Sequence, residues 1–354
     1  MEKVYLAELE ALKALAESLP TTRMLSLARV SALVLLNMRY ERIMLDRDLP
    51  THPYPLVANL VREASAHLRA WSEVAFVEEG REPLERDRPA AMEESHHDLF
   101  QKLWVKFSPD EYRARIDRYV HRLRVNGLAD GWARGMRCID FGCGHGNFAH
   151  ALLAAGAELV VGVDYGEESV AYAEAARDRL GVSPDRLRFR VATVYDVGEP
   201  DAGFDLAVQN GVFHHLEDEP AALSEVARVV RPGGWLWYYT DGAGAISHDL
   251  WDASVQILAN VPTDLTLDYL RYLNLGAGKR YHLGDSLHAV YGHSTLEEVE
   301  ERLRAAGFGC FRRLVGGYPT DFDHDVIAKD RWGREKFGCG DLRVLARRLQ
   351  GAHQ

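Results

Sequence analysis

The stretch Cys138-Ile139-Asp140-Phe141-Gly142-Cys143-Gly144-His145-Gly146-Asn147 decides the fold. It begins as a short apolar run with the character of a buried strand, and three glycines follow at alternate positions. Glycine adopts backbone conformations closed to other residues and holds no side chain in the way, so the loop can turn tightly and approach a ligand. The run from Asn147 to Ala155 then reads as a helix, whose first N–H groups lack partners within the helix and face the loop. Strand, glycine loop and helix in this order open a βαβ unit, where ligands sit at the carboxyl ends of the strands.

Working outward, short apolar runs recur at 158–163, 187–191, 204–209 and 235–240, separated by helical patterns at 167–180 and 219–230. A helix at 295–306 leads to a strand at 308–315, and 341–348 is the last strand candidate. This alternation predicts an α/β domain with a doubly wound, mostly parallel, Rossmann-like sheet. Upstream, apolar residues recur at helical spacing over 3–19, 22–46, 55–79, 92–106 and 109–126, and no strand pattern precedes residue 136. The expected division is an all-helical N-terminal domain over 1–130 and an α/β domain over 131–354, with substrate-side inserts at 241–294 and 316–340. The helical domain carries no chemical motif. Its two readings, a lid over the site and a unit for homo-oligomerisation, are compatible.

The loop differs from the nicotinamide pattern, which needs G-x-G-x-x-G to seat a pyrophosphate. Here the third glycine, Gly146, comes one place early and Asn147 takes its position. Asp140, just before the loop, would repel a phosphate, so a cofactor with an ammonium group and no phosphate suits the loop better. The second strand ends at Asp164, about 20 residues beyond the loop, where a carboxylate accepts from both ribose hydroxyls. Tyr165 beside it offers a ring to the adenine face. After the third strand, Asp196 is placed to accept from the adenine amino group, with Tyr195 supplying aromatic surface. The fourth strand delivers Gln209-Asn210-Gly211-Val212-Phe213-His214-His215-Leu216 to the same edge.

Asp140 to Gly146 resembles motif I of the class I S-adenosylmethionine-dependent methyltransferases. The likeness continues through Asp164, Asp196 and the Asn210 to Leu216 segment. It ends with Leu223-Ser224-Glu225-Val226-Ala227-Arg228-Val229-Val230-Arg231-Pro232-Gly233-Gly234, which is similar to the ubiquinone/menaquinone-biosynthesis type of small-molecule methyltransferase. The resemblance covers 137–240 and implies a seven-stranded sheet with an antiparallel last strand, 310–315 pairing with 342–347. It implies S-adenosyl-L-methionine as cofactor, its amino-acid part cradled by Gly142, Cys143, Gly144 and Gly146, its ribose on Asp164 and its adenine near Asp196. The acceptor lies outside what the family supplies.

For catalysis, His214 and His215 follow the strand whose end should face the methyl group. Each is a candidate base, since imidazole titrates near neutral pH; in the resembling family such a pair also packs around the cofactor's methionine end. Tyr239, Asp241 and His282 are candidates on the acceptor side. His248, Asp249, Asp285, His288 and His293, with Asp321, Asp323, His324 and Asp325 later, invite a metal reading. His282, His288 and His293 lack the i, i+4 spacing of a helical pair, so no metal is assigned.

With 47% hydrophobic and 27% charged residues the 354-residue chain is globular. Its net charge of -11 disfavours nucleic acid and anionic membrane as partners. Four cysteines without a C-x-x-C pair, and an acidic amphipathic start without a signal sequence, point to the cytoplasm. The expected protein is a methyltransferase acting on an O, N or C nucleophile of a small molecule. The alternatives are a catalytically inactive cofactor-binding partner or regulatory subunit and, disfavoured by the glycine spacing, a nicotinamide-dependent oxidoreductase.

Overall fold

The computed structural model describes residues 2–75, 97, 99–100 and 107–350, which form two compact units. The first unit is Met1–Val105, Gly244–Val290 and Ile327–Gly338; the second is Lys106–Ala243, Tyr291–Val326 and Cys339–Gln354. The expected helix at 92–106 falls largely outside the described residues.

In the second unit the strands are β1 (Arg137–Phe141), β2 (Leu159–Asp164), β3 (Leu187–Val191), β4 (Phe204–Asn210), β5 (Val230–Asp241), β6 (Phe308–Leu314) and β7 (Asp341–Arg348). They form one seven-stranded sheet in the order β3-β2-β1-β4-β5-β7-β6. β1 to β5 pair in parallel, and β7 runs antiparallel to both β5 and β6. The expected antiparallel last strand is therefore present. The chain builds outward from β1 through β2 to β3, then returns to place β4 on the other side, so the strand order reverses between β1 and β4. A crevice opens at the carboxyl ends of the strands at such a point.

Alternation along the strands sends side chains to two cores. Ile139, Phe141, Val161 and Ala207 meet Leu223 and Val226 of the helix Glu219–Val229 and Val299 and Leu303 of the helix Leu296–Ala305. Cys138, Val160, Leu206 and Val208 meet Phe148 and Leu152 of the helix Asn147–Ala154 and Val170 and Ala173 of the helix Glu167–Arg179. The second core also takes Leu123 from the helix Pro109–Val125. Tyr119 of that helix stacks on Phe148 at 4.7 Å. A helix that sequence pattern alone groups with the N-terminal helices thus belongs to the sheet unit.

The first unit shows the converse. The insert expected at 241–294 is mostly helical, with helices Ile246–Leu258, Thr263–Tyr272 and Ala277–His288. Its apolar stripe, including Ile246, Leu250, Ile257 and Leu287, shares one core with Leu9, Leu12, Leu33, Val57 and Val61 from the N-terminal helices. The helical unit is therefore discontinuous in sequence. Deleting residues 1–75 should expose the buried face of 246–288 and leave little soluble, cooperatively melting protein, since burial is the dominant stabilising term. A soluble truncated chain with a sharp melt would contradict the shared core.

Candidate active site

The glycine loop is held by the strands on either side. Cys143 N–H donates to the Val163 carbonyl at 2.9 Å, and Gly144 N–H donates to Asp164 Oδ2 at 2.8 Å. Gly142, Gly144 and Gly146 all have positive φ, at 67°, 49° and 77°. Two of them also leave no room for a side chain. A Cβ on Gly142 would lie 2.5 Å from Val212 Cγ2, and one on Gly146 would lie 2.5 Å from the Phe189 ring. Gly146 thereby permits close packing of helix on sheet, while Gly142 lets the loop meet the turn that follows β4. From outside, Tyr112 Oη donates to the His145 carbonyl at 2.7 Å, and the His145 ring stacks on Tyr172 at 4.1 Å. Burial, with Arg115 adding to it, lowers the His145 pKa to about 3, so this imidazole is neutral.

Asp140 is buried, and its Oδ2 has no hydrogen-bond partner among the described residues. Burial first and the charge of Asp164 second push its pKa up to about 8, against the opposing Ala149 N–H. An acceptor left alone in a protein interior is costly. A cationic amino group lying against the loop would satisfy it. Without a ligand, the folded protein holds the Asp140 proton at pH values where the unfolded chain, with a pKa of roughly 3.9, has released it. The stability contribution is complete below the unfolded value and is lost as pH rises through about 8. Asp140→Asn stays neutral, so its melting temperature should fall less than that of the wild type between about pH 4 and 8. Parallel curves would show that Asp140 is already ionised.

Asp164 Oδ1 accepts from Gly166 N–H at 2.9 Å, so a backbone donor on each carboxylate oxygen fixes the plane of the group at the end of β2. Tyr165 next to it is 64% exposed. After β3, Tyr195 is half-buried with its N–H on Thr193 Oγ1 at 3.2 Å, while Asp196 is exposed and accepts from Gly198 N–H at 3.1 Å. Asn210 ends β4 and accepts from Trp237 Nε1 at 3.2 Å. These residues, like Asp140 and the loop, follow or end β1 to β4 at their carboxyl ends.

The turn beyond β4 contains a short 3-10 helix, Phe213–His215. Both histidines are buried, with rings 4.1 Å apart. His214 Nδ1 lies 3.2 Å from Thr240 Oγ1, and its carbonyl accepts from Gly292 N–H. The Tyr291 ring lies 4.7 Å from His215 and 5.5 Å from His214. At the end of β5, Tyr239 Oη donates to Asp241 Oδ1 at 3.0 Å and the Arg343 guanidinium lies 4.3 Å over its ring. Burial, reinforced by Asp241, holds the Tyr239 phenol well above its ordinary pKa, so it is protonated at neutral pH.

The edge of the sheet thus gathers every sequence candidate except His282. That residue belongs to the helical unit, in Ala277–His288, with its ring 6.0 Å from Trp251. The sequence assigned no role to Gln209, although it opens the segment delivered to this edge, and none to Thr240 or Tyr291. The partners of Gln209 are backbone groups that leave no mark in the sequence, and Tyr291 is brought to the histidines from 76 positions beyond His215. Among the described residues no group of three or more His, Cys, Asp or Glu is placed to hold a metal, and no helix is long and apolar enough to cross a membrane.

Residues 139–238 match the family model of a methyltransferase domain. The chain is 35% identical over 185 residues to an uncharacterized methyltransferase of Mycobacterium bovis, covering 52% of this chain and 84% of the relative. It is 33% identical over 147 residues to the 27-O-demethylrifamycin SV methyltransferase of Amycolatopsis mediterranei, covering 39% of this chain and 53% of the relative. To the ubiquinone biosynthesis O-methyltransferase of Bordetella avium it is 26% identical over 152 residues, covering 42% of this chain and 61% of the relative. The chain therefore spans little more than half the length of those last two relatives.

Proposed function

We propose that this chain, which belongs to the family of class I S-adenosylmethionine-dependent methyltransferases, transfers the cofactor's methyl group to an oxygen, nitrogen or carbon nucleophile of a small molecule. The observation that carries the reading is the pairing of a glycine cradle with the unsatisfied, buried Asp140 carboxylate, one strand away from Asp164. That donor set suits an amino acid joined to a ribose. The small-molecule acceptor is supported by the names of two relatives, one for a rifamycin and one for ubiquinone biosynthesis. Four free cysteines support a reducing compartment such as the cytoplasm.

In this reading Asp140 and the loop Gly142, Cys143, Gly144 and Gly146 hold the amino-acid end, and Asp164 holds the ribose. Tyr165, Tyr195 and Asp196 serve the adenine, and Asn210 borders the methyl-bearing end. S-adenosylmethionine supplies a methyl group already activated by the sulfonium. The protein has then to align the nucleophile and, where a proton must leave, to accept it. His214 and His215 are the candidate bases, and the Thr240 hydroxyl beside His214 Nδ1 orients that ring. Tyr239 and Asp241 are assigned to the acceptor.

Asp164→Ala removes the ribose acceptor and also frees the Gly144 N–H that shapes the loop. S-adenosylhomocysteine should bind about 1.5 to 3 kcal/mol more weakly by calorimetry. Unchanged affinity in a folded variant would remove Asp164 from the site. The function itself is tested by incubating the full chain with methyl-labelled S-adenosylmethionine and a cell extract, then separating small molecules, protein and nucleic acid. Label should enter the small-molecule fraction. Label confined to macromolecules, or none despite cofactor binding, would overturn the proposal.

A further inference from the structure

We infer that Gln209 is a positioning residue that sets the His214–His215 turn against the end of β5, and so governs the transfer step rather than cofactor affinity. The inference rests on the methyltransferase reading of this site. Gln209 is fully buried at the carboxyl end of β4, paired in register with Phe141 on β1 and Tyr238 on β5. Its Nε2 donates to the Tyr239 carbonyl at 2.9 Å, and its Oε1 accepts from Val212 N–H at 3.2 Å and Phe213 N–H at 3.4 Å. One amide therefore ties the first residues of the histidine turn to the strand that carries Tyr239, Thr240 and Asp241. The Tyr239 carbonyl also accepts from Gly211 N–H, so both sides of the turn are fixed to one point. The Val212 side chain of the same turn fills the space in front of Gly142.

The geometry needs a donor and an acceptor on one planar group. Methionine has nearly the right length but offers neither, and would leave Val212 and Phe213 N–H without their acceptor. Glutamate reproduces the pattern only when protonated; once ionised it sets a negative charge against the Tyr239 carbonyl. This gives Gln209→Glu a signature that a space-filling role does not share, namely turnover that improves toward acid relative to wild type.

The experiment uses the full chain with Gln209→Met and Gln209→Glu. Label transfer from saturating methyl-labelled S-adenosylmethionine into the small molecules of a cell extract is read with S-adenosylhomocysteine affinity and the histidine ring signals by NMR. Gln209→Met should lower transfer by about 10- to 100-fold, the scale of a misplacement of order 1 Å, with affinity within about fivefold. The His214 and His215 ring signals should shift, and Gln209→Glu should regain transfer as pH falls. Wild-type transfer and unshifted rings in Gln209→Met would overturn the inference. So would transfer and affinity falling in proportion without acid rescue in Gln209→Glu. His214→Asn and His215→Asn, run alongside, separate the two claims. If they lose transfer while Gln209→Met keeps it, only the positioning role fails; if they keep transfer while Gln209→Met loses it, only the base assignment fails.

Discussion

Gly142→Ala should weaken S-adenosylhomocysteine binding by about 100-fold or more, through two penalties that act together. At a φ of 67° any side chain is strained, typically by roughly 1 to 2 kcal/mol. The new Cβ would also sit 2.5 and 2.8 Å from the two methyl carbons of Val212, a distance no packed interior tolerates. Rotation of the Val212 side chain does not clear the site, because its Cβ would still lie 3.1 Å from the new one. The loop must move instead, and it carries the Gly144 N–H away from Asp164. Gly142→Ala combined with Val212→Ala removes the two methyl clashes but keeps the strain, so it should recover part of the lost affinity. Calorimetry, with melting curves showing that the sheet unit remains folded, checks both. Near-wild-type affinity in the single variant would mean that the cofactor does not lie along this loop.

His214→Asn should lower methyl transfer by about 100-fold or more while S-adenosylhomocysteine still binds, and the neutral-range limb of the pH profile should disappear. His215→Asn, measured in the same way, shows whether this second ring, which lies against Tyr291, shares the role. His145, His150 and Tyr239 do not compete for that limb, and Asp140→Asn, run alongside, controls for Asp140, which burial pushes up to about 8. Burial lowers His145 to about 3 and His150 to about 4, and the Tyr239 phenol is raised out of range. Normal turnover and pH dependence in both variants would show that alignment alone drives the reaction.

The convergence of these residues at the carboxyl ends of the strands was legible because its signals are local. Three spaced glycines, an aspartate ending β2 and a histidine pair after β4 each sit where a strand stops, and strand ends in a parallel sheet converge. The helical unit was not legible, because a stripe such as Ile246, Leu250, Ala253 and Ile257 announces a helix without saying whose core it joins. Polar residues misled for a similar reason. Asp249 looks like acceptor chemistry in sequence, yet it takes hydrogen bonds from Tyr5 Oη and Lys3 Nζ inside the helical unit. Asp321, part of a run suggestive of a metal, is paired with Arg122 and Arg118. A carboxylate's partner far along the chain leaves no mark near it. Gln209 shows the remaining difficulty, since its amide bonds backbone groups, and the sequence does not encode which N–H and carbonyl groups a turn leaves over.

In the proposed function one edge of the sheet both holds the cofactor and presents its methyl-bearing end to the histidine turn. A crystal structure of the full chain with S-adenosylhomocysteine tests it most directly. The ribose hydroxyls should lie on the Asp164 carboxylate, the amino group on Asp140 Oδ2, and the sulfur should face the segment from Asn210 to His215. A ribose bound away from Asp164, or a sulfur turned from that segment, would contradict it.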